Sequence, residues 1–76
     1  MKVQIIATRD CRHRPNLERE LGELDIAYEL IFVEDRPELA QRLDIRHSPN
    51  LIVDDRVVFR GQPSEADLRD YFLGRR

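Results

Sequence analysis

The chain carries one cysteine, set in the run Thr8-Arg9-Asp10-Cys11-Arg12-His13-Arg14, with three arginines and a histidine around it. A cysteine attacks as the thiolate, and neighbouring cations favour that form. Cys11 is therefore the leading candidate for covalent chemistry, and Arg9, Arg12 and Arg14 are expected to make it ionise more readily than a free thiol. Such polar neighbours are wrong for a cysteine that merely fills a core. A second feature is Ser48-Pro49, just ahead of the apolar run Leu51-Ile52-Val53. Proline entering a strand removes a ladder donor, and by position alone an ordinary trans turn is expected there. A third is Gly61-Gln62-Pro63-Ser64. Ser64 reads as a helix N-cap, and a helix N-terminus can receive a carboxylate. Cys11, His13 and His47 together contain the donor types of a soft metal site. Their spacing matches no metal motif, and histidines beside arginines are ordinarily solvated, so no metal is expected.

Hydrophobic patterning supplies the elements that must position these groups. Lys2 to Thr8 reads as a strand buried on both faces, because Val3, Ile5, Ile6 and Ala7 leave no polar side. Pro15 suits the first turn of a helix, and Leu17, Leu21 and Leu24 form one stripe, with Gly22 and Asp25 marking a fraying end. Ile26 to Val33 is a second strand. It places Tyr28, Leu30 and Phe32 on one face and Ala27, Ile31 and Val33 on the other. A strand–helix–strand crossover makes these two strands parallel. Pro37 opens a second helix with Leu39 and Leu43 inward, and Glu38 and Arg42 are spaced to pair. Asp44 to Asn50 is a loop. Leu51–Val53 and Val57–Phe59 form a hairpin around Asp54-Asp55-Arg56, although a tight turn prefers Gly at Asp55. Ser64 and Asp67 resemble a capping box at the start of a third helix, with Leu68, Tyr71 and Phe72 inward. Gly74-Arg75-Arg76 is expected to fray. The fold class is α/β, in the order βαβαββα: a four-stranded mixed sheet flanked by three helices, forming one domain over residues 1–76.

Composition sets limits. The 13 basic and 15 acidic residues give a net charge of −2, with no positive excess to track phosphates, so nucleic acid is not an expected partner. No apolar stretch approaches the roughly 20 residues of a membrane span, and no secretory signal is seen. One cysteine excludes a disulfide within the chain, and a reducing, cytoplasmic setting and a monomer are expected.

With these motifs in view, the whole chain resembles small thioredoxin/glutaredoxin-like proteins. The matching parts are Val3–Ala7, Thr8 to Arg14, the run Ile45-Arg46-His47-Ser48-Pro49-Asn50-Leu51-Ile52-Val53, Val57–Phe59, and Gly61 to Ser64. The resemblance implies a cis proline at Pro49 packed against the Cys11 sulfur. It also implies that Ser48 offers backbone groups to an extended thiol peptide or glutathione. Gly61 and Ser64 would hold the γ-glutamyl end of glutathione, with Arg12 and His13 beside the thiol.

The departure from the family is Cys11-Arg12-His13-Arg14, a C-x-x-R in place of C-x-x-C. Without a resolving cysteine the two-cysteine cycle is excluded, and a mixed disulfide must be released by an outside thiol. Monothiol glutaredoxins use glutathione in this way but carry C-G-F-S, so iron–sulfur assembly is not expected here. Arg14 is read in two ways, as an anchor for the thiolate or a substrate carboxylate, or as a neutral replacement. The functional expectation is a glutaredoxin-like monothiol redox protein with no resident cofactor and glutathione as a possible co-substrate. The alternative is an inactive binding module that uses the Cys11/Pro49 groove.

Overall fold

A computed structural model describes residues 1–74. The elements are β1 (Val3–Ala7), α1 (Arg14–Glu23), β2 (Glu29–Phe32), α2 (Pro37–Arg42), β3 (Asn50–Val53), β4 (Arg56–Arg60) and α3 (Glu65–Leu73). They form one mixed sheet in the order β2-β1-β3-β4. β1 pairs parallel with β2 and antiparallel with β3, and β3 pairs antiparallel with β4. The expected fraying of Gly74-Arg75-Arg76 falls largely outside the described residues.

Side-chain alternation along β1 explains why it is buried throughout. Val3, Ile5 and Ala7 meet Leu17 and Leu21 of α1, Leu51 and Val53 of β3, and Leu68 of α3 in one cluster. Ile6 points the other way, into a smaller cluster with Ile31, Ile52 and Leu39 of α2. α1 and α3 thus cover one sheet face and α2 the other, as a parallel pair requires. Complete burial of Ile5 is worth about 2–3 kcal/mol.

The two crossover helices end in the same way. Leu24-Asp25-Ile26 follows α1 and Leu43-Asp44-Ile45 follows α2. The Ile26 N–H donates to the Leu21 carbonyl at 3.0 Å and the Asp25 N–H to Gly22 at 3.0 Å. The corresponding bonds after α2 run from Ile45 to Ala40 at 2.8 Å and from Asp44 to Gln41 at 3.2 Å. These are Schellman closures, and they need a left-handed residue. Asp25 and Asp44 supply it, with φ of 61° and 56°. α1 therefore does not fray at Gly22, which lies inside the helix; the exposed carbonyls are satisfied by the two bonds.

Aspartate takes the left-handed region again in the hairpin, where Asp54 and Asp55 have φ of 51° and 67°. Two positive φ values in a two-residue loop make the turn that matches strand twist. Asp54 tolerates it because its carboxylate accepts the Lys2 N–H at 2.8 Å and its own N–H donates to the Lys2 carbonyl at 2.8 Å.

Several expectations are corrected. Glu38 pairs with Arg36, which donates to its carboxylate at 2.5 Å, and not with Arg42. Arg36 is the N-cap residue of a helix only six residues long, so it reaches the first-turn carboxylate from outside. This bond lowers the pKa of Glu38. β2 is shorter than expected and begins at Glu29, because the chain from Ile26 to Tyr28 is still leaving the α1 corner. Asn50 belongs to β3, not to the loop before it. Tyr71 does not face inward; it is 44% exposed and meets Phe59 and Phe72 edge-on.

Candidate functional site

The strand pairings bring the C-terminal ends of β1, β2 and β4 and the N-terminal end of β3 to one edge of the sheet. Cys11 lies in the loop leaving β1. Its N–H donates to the Thr8 carbonyl at 3.2 Å, closing a turn, and it packs half-buried against the core cluster beneath α1. α1 starts at Arg14 with His13 as its N-cap residue. Cys11 thus precedes the cap by two residues, and Arg12 and His13 lie between it and the first helical turn.

Side-chain and backbone hydrogen bonds join this loop to the other two candidate segments. The Thr8 N–H donates to Ser48 Oγ at 3.0 Å. The Ser48–Pro49 peptide bond is cis, and the Pro49 carbonyl accepts the Gly61 N–H at 2.8 Å. Gln62 Nε2 then donates at 2.9 Å to the carboxylate of Glu20, which is buried on α1. A closed circuit thus runs from the Cys11 loop through Ser48, Pro49, Gly61 and Gln62 back to the helix that follows Cys11. Asn50 fastens the proline loop from below. It is fully buried, and its Nδ2 donates to the carbonyls of His47, at 2.5 Å, and Ile6, at 3.3 Å.

The arginines divide. Arg9 donates to Asp35 at 2.6 Å and lies 4.6 Å from the Phe32 ring centre. Arg14 forms an i,i+4 pair with Glu18 and lies 5.4 Å from the same ring. Glu18 also accepts the Tyr28 hydroxyl at 2.6 Å. That bond and burial raise the Tyr28 pKa to about 12. Arg14 is therefore built into a packed set that ties α1 to β2. Two of the three arginines expected to act on the thiol are engaged by carboxylates. Among the described residues, no ion pair involves Arg12.

Ser64 caps α3: the Asp67 N–H donates to Ser64 Oγ at 3.0 Å, and Asp67 returns a carboxylate oxygen to the Ser64 N–H at 3.4 Å. These two bonds form a capping box closed by α3's own residues. His13 and His47 join no cluster with Cys11, and among the described residues no group of three or more His, Cys, Asp and Glu side chains is placed to hold a metal ion. No described helix is long and apolar enough to cross a membrane.

Sequence reasoning missed three participants. Asn50 and the Glu20–Gln62 link carry no sequence signal: Asn50 bonds to backbone carbonyls that no residue type marks, and Glu20 and Gln62 meet across 42 residues of chain. The third is a hollow of about 280 Å³ lined by Asp44, Arg46, His47 and Arg60, beside the proline loop. Its only advance sign was that Arg46 and His47 precede Ser48 directly.

Comparison with known proteins agrees with this geometry. Residues 1–72 match the family model described as a thioredoxin domain. No curated protein sequence matches the chain. Among solved structures, thioredoxin 1 from the thermophilic eubacterium Thermosipho africanus is similar. It superposes with a TM-score of 0.71 over 96% of this chain and 91% of that one, at 17% identity, which is a likeness of fold. With its sheet order, its three helices and its cysteine loop facing Ser48-Pro49, the chain belongs to the thioredoxin domain family.

Proposed function

We propose that the protein is a monothiol thiol–disulfide exchange protein, in which Cys11 forms a mixed disulfide that an outside thiol releases. The observation that carries this reading is the hydrogen-bonded circuit that sets the Cys11 loop against Ser48, Pro49 and Gly61. The Cys11 thiolate attacks one sulfur of a partner disulfide. A new S–S bond forms, the old one breaks, and the other partner sulfur leaves as a thiolate and takes a proton from water. A second thiolate, from glutathione or a protein partner, then attacks the partner's sulfur and expels Cys11. One disulfide is exchanged for another, with one thiol consumed and one released. In this reading Pro49 forms the wall opposite the sulfur and the Ser48 backbone receives an extended peptide. Arg14 acts through packing rather than by gripping substrate. The reaction suits a cytoplasmic setting with glutathione present and needs no resident cofactor.

Incubation with oxidised glutathione, followed by intact mass measurement, tests this. The expected result is one glutathione adduct on Cys11, reversed by reduced glutathione and abolished in Cys11→Ser. Absence of an adduct, under conditions that modify a free cysteine peptide, would favour a second reading. In that reading the groove is a binding module without turnover. The engagement of Arg14 by Glu18 and Phe32, which leaves it unavailable to a thiolate, is the observation on that side.

A further inference from the structure

We infer that the disulfide partner taken at Cys11 is an acidic peptide segment, received through the basic hollow next to the proline loop; this rests on the thiol exchange proposed above. The hollow is bounded by Arg46, His47, Arg60 and Asp44 and has a volume of about 280 Å³. Arg46 is largely exposed and donates to the Asp44 carboxylate at 3.1 Å. Arg60 is held differently. Its Nη1 donates to the Asp44 backbone carbonyl at 2.8 Å, which fixes the side chain without neutralising it. Among the described residues no ion pair involves Arg60, His47, Arg12 or His13.

Position gives the hollow its meaning. Arg60 is followed by Gly61, whose N–H is bonded to the Pro49 carbonyl. Arg46 and His47 lead directly into Ser48. A peptide lying along Ser48 to present its sulfur to Cys11 would therefore pass Arg46, His47 and Arg60 on one side of the reacting atoms and Arg12 and His13 on the other. Two of the acidic groups at this edge are paired, Asp35 with Arg9 and Asp44 with Arg46. Glu34 accepts the Arg9 backbone N–H and keeps its charge. Asp10 is the exposed acid next to the thiol. Arginine forks favour carboxylates, and charge complementarity of this kind acts mainly on association rate and on rejection of wrong partners.

The test uses short peptides whose single cysteine is capped as a thiopyridyl disulfide and flanked by Asp/Glu, by Ser/Gly or by Lys. Release of pyridine thione reports attack by Cys11. Each rate is divided by that of a small neutral thiol with the same peptide. The acidic peptide should react at least about tenfold faster than the lysine peptide at low ionic strength, the range of electrostatic steering. The advantage should shrink to about twofold at ~0.5 M salt, where screening reaches within a few ångströms. The Arg46→Ala/Arg60→Ala double variant should lose most of the preference. Arg56→Ala, which removes a cation at the opposite end of β4, should keep it. Equal rates for the three peptides, or a preference that survives loss of both arginines, overturn the inference while leaving thiol exchange intact. Failure of even the Ser/Gly peptide to react, with Cys11 accessible to a small alkylating reagent, overturns the exchange reading itself.

Discussion

The corners Leu24-Asp25-Ile26 and Leu43-Asp44-Ile45 share a sequence, a backbone path and a left-handed aspartate, yet they do different work. Behind the first stands Leu21, fully buried, whose carbonyl accepts the Ile26 N–H. Behind the second the same place is taken by Ala40. The first corner leads to Tyr28, which ties the departing chain back to Glu18 of α1. The second leads to Arg46 and His47, and its aspartate holds Arg46 by the carboxylate and Arg60 by the carbonyl. A local solution that closes a helix was used once for packing alone and once to set two cations beside the proline loop. Equal local sequence therefore predicts equal backbone but not equal purpose; what lies one residue further along decides that.

The sharpest way to break the comparison is at its core. Leu21→Ala should cost about 3 kcal/mol through lost burial and the cavity left behind. A chain of this size has roughly 4–11 kcal/mol in all, so the urea midpoint should fall steeply. Ala40→Gly, at the matching site, should cost only about 1 kcal/mol. Similar losses at the two sites would mean that the corners are anchored alike.

Replacing the aspartates separates them further. Asp25→Gly removes a left-handed side chain and a negative charge from a helix C-terminus, and should stabilise by about 1 kcal/mol. Asp44→Gly should gain less, because it also removes the Arg46 pair, an exposed contact worth up to about 1 kcal/mol. Asp44→Asn keeps the backbone preference while freeing Arg46. It should raise the acidic-peptide preference about twofold, since like charges at such a site act on association rate. Thermal melts and the thiopyridyl assay read the two effects apart.

The exit of the first corner has a pH signature. Tyr28 ionises with a pKa near 10.0 when unfolded, and its bond to Glu18 raises this to about 12 in the fold. Its stabilisation is whole below the unfolded value and is lost as pH climbs through the folded one. Wild type should therefore weaken across that alkaline window, and Tyr28→Phe should flatten the loss in denaturant titrations. The effect is modest, because one hydrogen bond contributes about 1 kcal/mol. An identical alkaline slope in the variant would remove Tyr28 from the account.

What the sequence made legible follows from the range of the forces involved. The strands, the proline-led helix starts and the Ser64–Asp67 cap are set by near neighbours, and all three could be read directly. The meeting of the loop after β1 with Ser48, made through the Thr8 N–H, is in keeping with the family resemblance. The fate of Arg14 could not, because Phe32 reaches it only after β2 has paired with β1. Glu38 was assigned to Arg42 by helical spacing, but the N-cap Arg36 was nearer. The ends of α1 and α2 were hidden by composition: a left-handed closure is ordinarily announced by glycine, and here aspartate holds all four non-glycine positions of positive φ among the described residues.

The single sulfur of Cys11 has a consequence for how oxidation must be counted. A dithiol protein is one half of a two-electron couple by itself, and its midpoint is a property of that molecule. These 76 residues hold only one cysteine, so their oxidised form as a disulfide always contains a sulfur from another molecule. Oxidation and complex formation are then the same event. The fraction of the protein in that form depends on the partner's concentration as well as on the surrounding redox poise. No reduction potential belongs to this chain alone; each partner defines its own.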